Sequence, residues 1–193
     1  ANNSKGMYRL RGDAAGNLAK PELLFRTDGG VGHGRNDLTV GPDGKIYSIH
    51  GDSVEAPAGA EDYTPGAGQL RPEDSRGQGR LIRFDPATGK LAILARGLRN
   101  PYGIAFNPDG EMFTYDADAE FDMGSPWYRP TRVIHLTLGS DFGWRNVTGH
   151  WPPYYPDRPD NAPPALDIGK GSPTAVMFGT RSNFPRRYRD AFF

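Results

Sequence analysis

The sequence predicts an all-β protein, a section of a β-propeller built from four-stranded antiparallel blades. The main observation is a hairpin pattern that recurs after about 66 residues, with a second, different hairpin between its two copies. In addition, 26 Gly and 18 Pro among the 193 residues separate short apolar and aromatic runs, as turns separate short strands. Each repeat is therefore expected to hold an inner and an outer pair of strands.

The first repeat begins after two predicted strands within residues 7–26, which are separated by Gly-Asp and Gly-Asn turn signals. Its inner hairpin runs from Leu38 to Asp52 and turns at residues 41–44, Gly-Pro-Asp-Gly. Pro presets φ and Gly tolerates positive φ at such a turn. Its outer hairpin runs over residues 79–95 and turns at residues 85–89.

The second repeat copies the inner hairpin with a turn at residues 107–110, Asn-Pro-Asp-Gly. In this register Leu38 aligns with Ile104. The outer part of the repeat has its clearest predicted strand at residues 132–136, and a third, weaker copy of the inner hairpin starts at residues 172–178. Residues 53–78 and 154–171 are rich in Gly and Pro and are predicted loops.

The organisation along the chain follows from this count of strands. We expect residues 1–193 to form a single propeller section of about two full blades, with a partial blade at each end, and to be a fragment of a longer chain. An open section of this kind is expected to expose apolar strand edges.

Composition excludes several classes of function. The formal net charge is zero, so there is no electrostatic case for nucleic acid as a partner or for an anionic membrane surface. No apolar run reaches the length of a membrane span. Without any cysteine, this segment has no disulfide, thiolate metal site, cysteine nucleophile or covalent haem attachment.

The repeat also predicts which polar residues meet. In a blade, residues before the first strand and after the second strand lie on one face near the central channel. His33 precedes Leu38 by the same spacing as Arg99 precedes Ile104, and Asp52 follows the second strand of the first repeat. A His beside a carboxylate is typical of a general base, and an Arg suits an anionic ligand group.

Three motifs carry a resemblance to a known family. His33 is followed by Leu-x-Val-Gly-Pro-Asp-Gly-Lys-Ile-Tyr and Gly-Asp, residues 97–106 read Gly-Leu-Arg-Asn-Pro-Tyr-Gly-Ile-Ala-Phe, and residues 139–144 read Gly-Ser-Asp-Phe-Gly-Trp. Together they resemble the glucose/sorbosone dehydrogenase family, the six-bladed β-propellers of soluble quinoprotein sugar dehydrogenases. The resemblance implies a partial six-bladed propeller.

The same resemblance implies roles for four residues. His33 corresponds to the base that removes the hydroxyl proton of the sugar, and Asp52 to the residue that orients this His. Arg99 and Asn100 correspond to the contacts with pyrroloquinoline quinone (PQQ). The implied function is quinone-dependent oxidation of the CH–OH group of a sugar or related aldehyde, with a sugar or other small molecule as the substrate.

The chain departs from the family after the second strand of the second repeat. Its acidic stretch resembles that of large bacterial membrane-associated or secreted dehydrogenase-like proteins, often joined to a c-type haem domain. This implies a haem domain or cytochrome as electron acceptor and a periplasmic or secreted location. Carboxylate oxygens suit calcium; the predicted metal ligands are Asp116, Asp118, Glu120 and Asp122.

Alternatives stay open at this point. The acidic residues are otherwise a solvated loop or form salt bridges with Arg129 and Arg132. His50 is expected to be structural, and Trp144 is expected to pack within a blade. The alternative functions are a non-catalytic binding or scaffold propeller and a calcium-dependent hydrolase of the lactonase type.

Overall fold

The computed structural model describes residues 2–3, 5–66, 77–117, 130–145, 161–172 and 174–193. Within these ranges the chain forms strands and two short 3-10 helices, with no α-helix, so the predicted all-β class is confirmed. The 3-10 helices cover Gly179–Arg181 and Arg186–Tyr188. The strands are β1 (Asn2–Asn3), β2 (Gly6–Arg9), β3 (Glu22–Arg26), β4 (Arg35–Val40), β5 (Ile46–His50), β6 (Glu61–Asp62), β7 (Gly79–Phe84), β8 (Leu91–Leu98), β9 (Pro101–Phe106), β10 (Met112–Asp116), β11 (Thr131–His135), β12 (Ser140–Asp141) and β13 (Leu166–Gly169).

The first repeat is a four-stranded antiparallel sheet in the order β4-β5-β7-β8. Its inner turn closes where the sequence predicts, with Gly41 N–H donating to the Lys45 carbonyl at 2.9 Å. Two short strands, β6 and β12, pair in parallel with β8. The inner and outer pairs of strands are thus both confirmed.

The second repeat has the same order of strands, β9-β10-β11-β13, and is also antiparallel. Strand β9 lies beside β4, because the Ile104 N–H donates to Asp37 Oδ2 at 3.0 Å. The two repeats are therefore neighbouring units of one architecture. The number of blades in a closed ring stays a prediction.

The flanking regions are simpler than the two repeats. Strands β1, β2 and β3 form a separate three-stranded sheet, as expected for the outer part of a preceding blade. The strand predicted from residue 172 is not formed by the described residues. An isolated bridge joins Phe178 to Phe192, two backbone bonds join Met177 to Phe193, and the Gly179 N–H donates to the Ala191 carbonyl, a pairing too short for a ladder.

Apolar side chains fill the spaces between these sheets. One cluster packs the first repeat against the second and contains Ile49, Leu81, Leu98, Ile104 and Ile134. A second cluster packs the N-terminal sheet against the first repeat through residues that include Met7, Phe25, Ile82 and Phe84. None of the helices formed by the described residues has the length and apolar character that a bilayer crossing requires.

Candidate active site

A histidine and an aspartate from the two ends of one hairpin meet at the edge of the first repeat. His33 precedes β4 and Asp52 follows β5, and their Nδ1 and Oδ1 atoms are 2.7 Å apart. The Asp52 side chain is fully buried, whereas a quarter of the His33 side chain is exposed. A buried carboxylate thus holds a solvent-accessible imidazole, and the structure brings this predicted pair together.

Gly51 makes this approach possible. Its N–H donates to the Gly34 carbonyl at 2.8 Å, which ties the loop before β4 to the end of β5. A Cβ atom at residue 51 would lie 2.7 Å from His33 Cβ and 3.1 Å from Asn100 Oδ1. The φ angle of Gly51 is not in the left-handed region. Glycine is therefore required here by space alone.

Trp144 holds the second oxygen of the same carboxylate. Its Nε1 donates to Asp52 Oδ2 at 2.7 Å, and the side chain is almost completely buried. The contact depends on Gly97, whose carbonyl accepts the Trp144 N–H at 2.9 Å. Gly97 has φ of +77°, and a Cβ there would lie 2.3 Å from Asp141 Oδ1. Trp144 therefore does more than pack within a blade, the role predicted for it.

Arg99 lies over the ring of Trp144. Its guanidinium carbon is 5.5 Å from the centre of the indole ring, within the range of a cation–π contact. Its carbonyl accepts the Asp52 N–H at 2.8 Å. Arg99 is half-buried. The structure thus joins the predicted cofactor residue to the predicted His–Asp pair through the backbone and through one shared aromatic ring.

Asn100 is oriented by a neighbour that the sequence did not single out. Asn36 Nδ2 donates to Asn100 Oδ1 at 2.7 Å and to the Pro101 carbonyl at 2.8 Å. Because a backbone carbonyl only accepts hydrogen bonds, the second contact identifies the Asn36 atom as its NH₂ group. The first contact then assigns the Asn100 oxygen and turns the Asn100 Nδ2 donor away from Asn36.

Asp116 supports the loop that carries Arg99 and Asn100. Its fully buried carboxylate accepts the N–H of Arg99 at 3.1 Å and the N–H of Asn100 at 2.9 Å. Arg132 NH2 donates to its other oxygen at 3.1 Å. One of the salt bridges considered as an alternative to metal binding is therefore present.

The other predicted metal ligands, Asp118, Glu120 and Asp122, lie outside the described residues. The described ranges contain no group of three or more metal-ligating side chains. Asp116 already has three donors, so it supplies little capacity for a cation. Calcium binding by the acidic stretch stays a prediction.

His50 lies below the site and is almost completely buried. Its Nε2 is 2.9 Å from Ser48 Oγ, and its Nδ1 has no hydrogen-bond partner. Burial, helped by the nearby charges of Arg35 and Arg80, lowers the pKa of His50 to about 3. The ring is neutral at ordinary pH, in keeping with the structural role predicted for it.

A buried ion network stands behind Trp144. Asp141 receives Arg96 Nε at 2.8 Å, the Gly143 N–H at 3.0 Å and the Arg145 guanidinium. Burial raises the pKa of Asp141, but Arg145, the Gly143 N–H and Arg96 together hold it below its ordinary value. The carboxylate therefore stays charged and fixes the residues that lead to Trp144.

No model of a known protein family matches the chain. Among curated proteins, it is 27% identical over 153 residues to quinoprotein glucose dehydrogenase B of Acinetobacter calcoaceticus. This match covers 69% of the chain and 30% of that protein.

The solved structures that are similar to the chain also include sugar and glucose dehydrogenases. The PQQ-bound aldose sugar dehydrogenase of Streptomyces coelicolor superposes with a TM-score of 0.61 at 19% identity, over 89% of this chain and 48% of that one. A glucose dehydrogenase-like putative oxidoreductase of Thermus thermophilus gives 0.60 at 21% identity, over 89% and 50%. The chain thus spans about half the length of these structures.

The chain is therefore similar to soluble quinoprotein dehydrogenases in sequence and in fold. The resemblance to the sugar dehydrogenase family that the motifs predicted is confirmed. The chain's more specific placement near the membrane-associated or secreted subgroup stays a prediction.

Proposed function

We propose that this chain is part of a six-bladed β-propeller that oxidises the CH–OH group of a sugar, or a related aldehyde, with PQQ. The observation that carries the proposal is the His33–Asp52 pair, which lies next to Arg99 at one end of the sheets. The quinoprotein relative and the PQQ-bound structure support the choice of cofactor.

His33 is the proposed base. Asp52 accepts from Nδ1, which fixes the tautomer with its proton on Nδ1 and its lone pair on Nε2. Nε2 of the partly exposed ring therefore takes the hydroxyl proton of the substrate. The buried carboxylate of Asp52 stabilises the imidazolium that forms.

The cofactor side of the site fits an anionic quinone. Arg99 carries a fixed positive charge, and the Asn100 amide presents its Nδ2 donor away from Asn36. Carboxylates and quinone carbonyls both accept from such donors. When bound, PQQ supplies the hydride acceptor, and the chain's own residues position the substrate and take its proton.

The test uses the full-length protein reconstituted with PQQ and Ca²⁺, with dye reduction measured over a panel of aldoses. His33→Ala is expected to lower kcat by at least about a hundredfold, as loss of a general base does. His135→Ala, which changes a His paired with Glu111 away from the site, serves as the matched control.

Two results would overturn the proposal. The first is no PQQ binding by the wild-type protein in a fluorescence titration. The second is hydrolysis of lactones without quinone, which would support the hydrolase alternative instead.

A further inference from the structure

Trp144 contacts both halves of the proposed site, the His33–Asp52 pair and Arg99. Its N–H donates to Asp52 Oδ2 at 2.7 Å, and its ring faces the Arg99 guanidinium at 5.5 Å. We propose that Trp144 is a positioning residue with two separable roles: the N–H orients and moderates Asp52, and the ring holds Arg99 toward the cofactor. This inference rests on the proposed function.

The first role follows from the complete burial of the Asp52 carboxylate. Within the described ranges, Oδ1 receives His33 at 2.7 Å and Ser53 Oγ at 3.4 Å, whereas Oδ2 receives only Trp144. Two donors on opposite oxygens fix the rotation of the carboxylate about its Cβ–Cγ bond. The donor on Oδ2 also draws negative charge toward that oxygen, which weakens the attraction between Oδ1 and the His33 proton.

Removing the indole N–H is therefore expected to move the acid side of the pH–activity profile in a predictable direction. Oδ2 is left buried without its donor, and the carboxylate attracts the His33 proton more strongly. The protonated imidazole is then favoured, and a protonated His33 cannot act as the base. Activity in the variant is lost at a higher pH than in the wild type, on the acid side of the profile.

The second role depends on the ring and not on its N–H. Arg99 is half-buried and lies over the indole face. An aromatic ring without the N–H still offers a face to the guanidinium, though a phenyl ring is weaker than an indole. An aliphatic side chain offers none. The two roles can thus be separated by choosing the replacement.

The experiment compares Trp144→Phe and Trp144→Leu in the full-length protein with PQQ. Trp144→Phe is expected to lower kcat about 10-fold and to move the acid limb of the pH profile upward, with the Kd for PQQ changed less than about 3-fold. Trp144→Leu is expected to show both the pH shift and a Kd for PQQ raised about 10-fold. Phe142→Leu, a change in a neighbouring buried aromatic, is the packing control.

The inference would be overturned if Trp144→Phe kept the wild-type pH profile while Phe142→Leu lost as much activity, since that pattern belongs to packing. A second readout does not need activity. By ¹⁵N NMR, neutral His33 is expected to carry its proton on Nδ1 in the wild type, and in Trp144→Phe the doubly protonated ring is expected to persist to a higher pH than in the wild type. Absent PQQ binding would sink the proposed function, whereas His33 protonation over the same pH range in Trp144→Phe and the wild type would sink this inference.

Discussion

A difference at one pair of equivalent positions in the two repeats, His50 and Asp116, explains how a single architecture makes two halves of a site. His50 ends β5 in the first repeat and pairs with Arg80 of β7. Asp116 ends β10 in the second repeat and pairs with Arg132 of β11. Each position thus faces an arginine on the third strand, but only the second repeat places a carboxylate there.

The consequence is a division of labour between two buried acids. Asp116 forms a salt bridge with Arg132 and fixes the backbone of residues 99 and 100. In the first repeat the imidazole of His50 is neutral, and Arg80 donates to the carbonyls of Val54 and Gln78. The acid of the first repeat is Asp52, which binds His33 instead of a strand arginine.

The largest expected effect comes from removing the acid of the second repeat. Asp116→Asn removes the buried carboxylate charge that Arg132 NH2 and two backbone N–H groups share, which is expected to lower the free energy of unfolding by about 3 kcal/mol. Urea unfolding of the full-length protein measures the change. Asp109→Asn, in the exposed turn of the same hairpin, is expected to stay within about 0.5 kcal/mol. Equal effects of the two substitutions would contradict the role given to Asp116.

The next prediction exchanges a residue between the repeats. Ala117 of the second repeat stands where the first has Gly51. Gly51→Ala places a methyl group 2.7 Å from His33 Cβ, so the His33 loop must move. A displacement of this kind is expected to lower kcat about a hundredfold.

The control for that substitution is Gly12→Ala, because a Cβ at residue 12 meets nothing closer than 3.9 Å. It is expected to keep wild-type activity. Wild-type kcat in Gly51→Ala would show that His33 tolerates the movement, and the close approach would then have no catalytic meaning.

A third prediction concerns stability at acid pH and again places a residue type of the second repeat in the first. Because the pKa of His50 is lowered to about 3, the unfolded chain takes up a proton near pH 6.5 that the folded chain does not. Stability therefore falls as the pH falls, by about 1.5–2 kcal/mol between pH 6.5 and 5 from this residue. His50→Asp is expected to remove that part of the slope, since aspartate is charged in both states over this range.

Urea midpoints of the wild type and the variant across this pH range test the sign. His135→Asn, a change in a partly exposed histidine, is expected to retain the wild-type slope. A slope in His50→Asp as steep as in the wild type would contradict the assignment.

Much of the fold could be predicted from the sequence because each inner hairpin contains a recognisable turn motif. The Gly-Pro-Asp-Gly and Asn-Pro-Asp-Gly turns fixed two inner hairpins, and alternation fixed the strands around them. The strand predicted from residue 172 is not formed by the described residues, because the prediction depended on one matching proline, which is a weak signal. The short strands β6 and β12 were missed because they pair with β8 across a long separation in sequence.

The proximity of His33, Asp52 and Arg99 was predictable because the repeat places all three at the same end of their hairpins. Asn36 and the hydrogen bond of Trp144 were not predicted, because each acts across repeats through a contact that periodicity does not encode. For Trp144 a signal was present in the motif at residues 139–144, but its position over Asp52 depends on the φ of Gly97.

The smallest expected effect concerns the orientation of Asn100, which has Gly34 as its counterpart in the first repeat. Asn36→Asp replaces a donor by a carboxylate that faces the oxygens of Asn100 and Pro101. The Asn100 amide is then expected to turn its Nδ2 toward residue 36, away from the cofactor. Asn36→Ala only frees the amide, so the Kd for PQQ should rise about 10-fold in the first variant and about 3-fold in the second. Fluorescence titration with PQQ measures the two Kd values. A smaller rise in Asn36→Asp than in Asn36→Ala would mean that Asn36 does not hold the Asn100 amide.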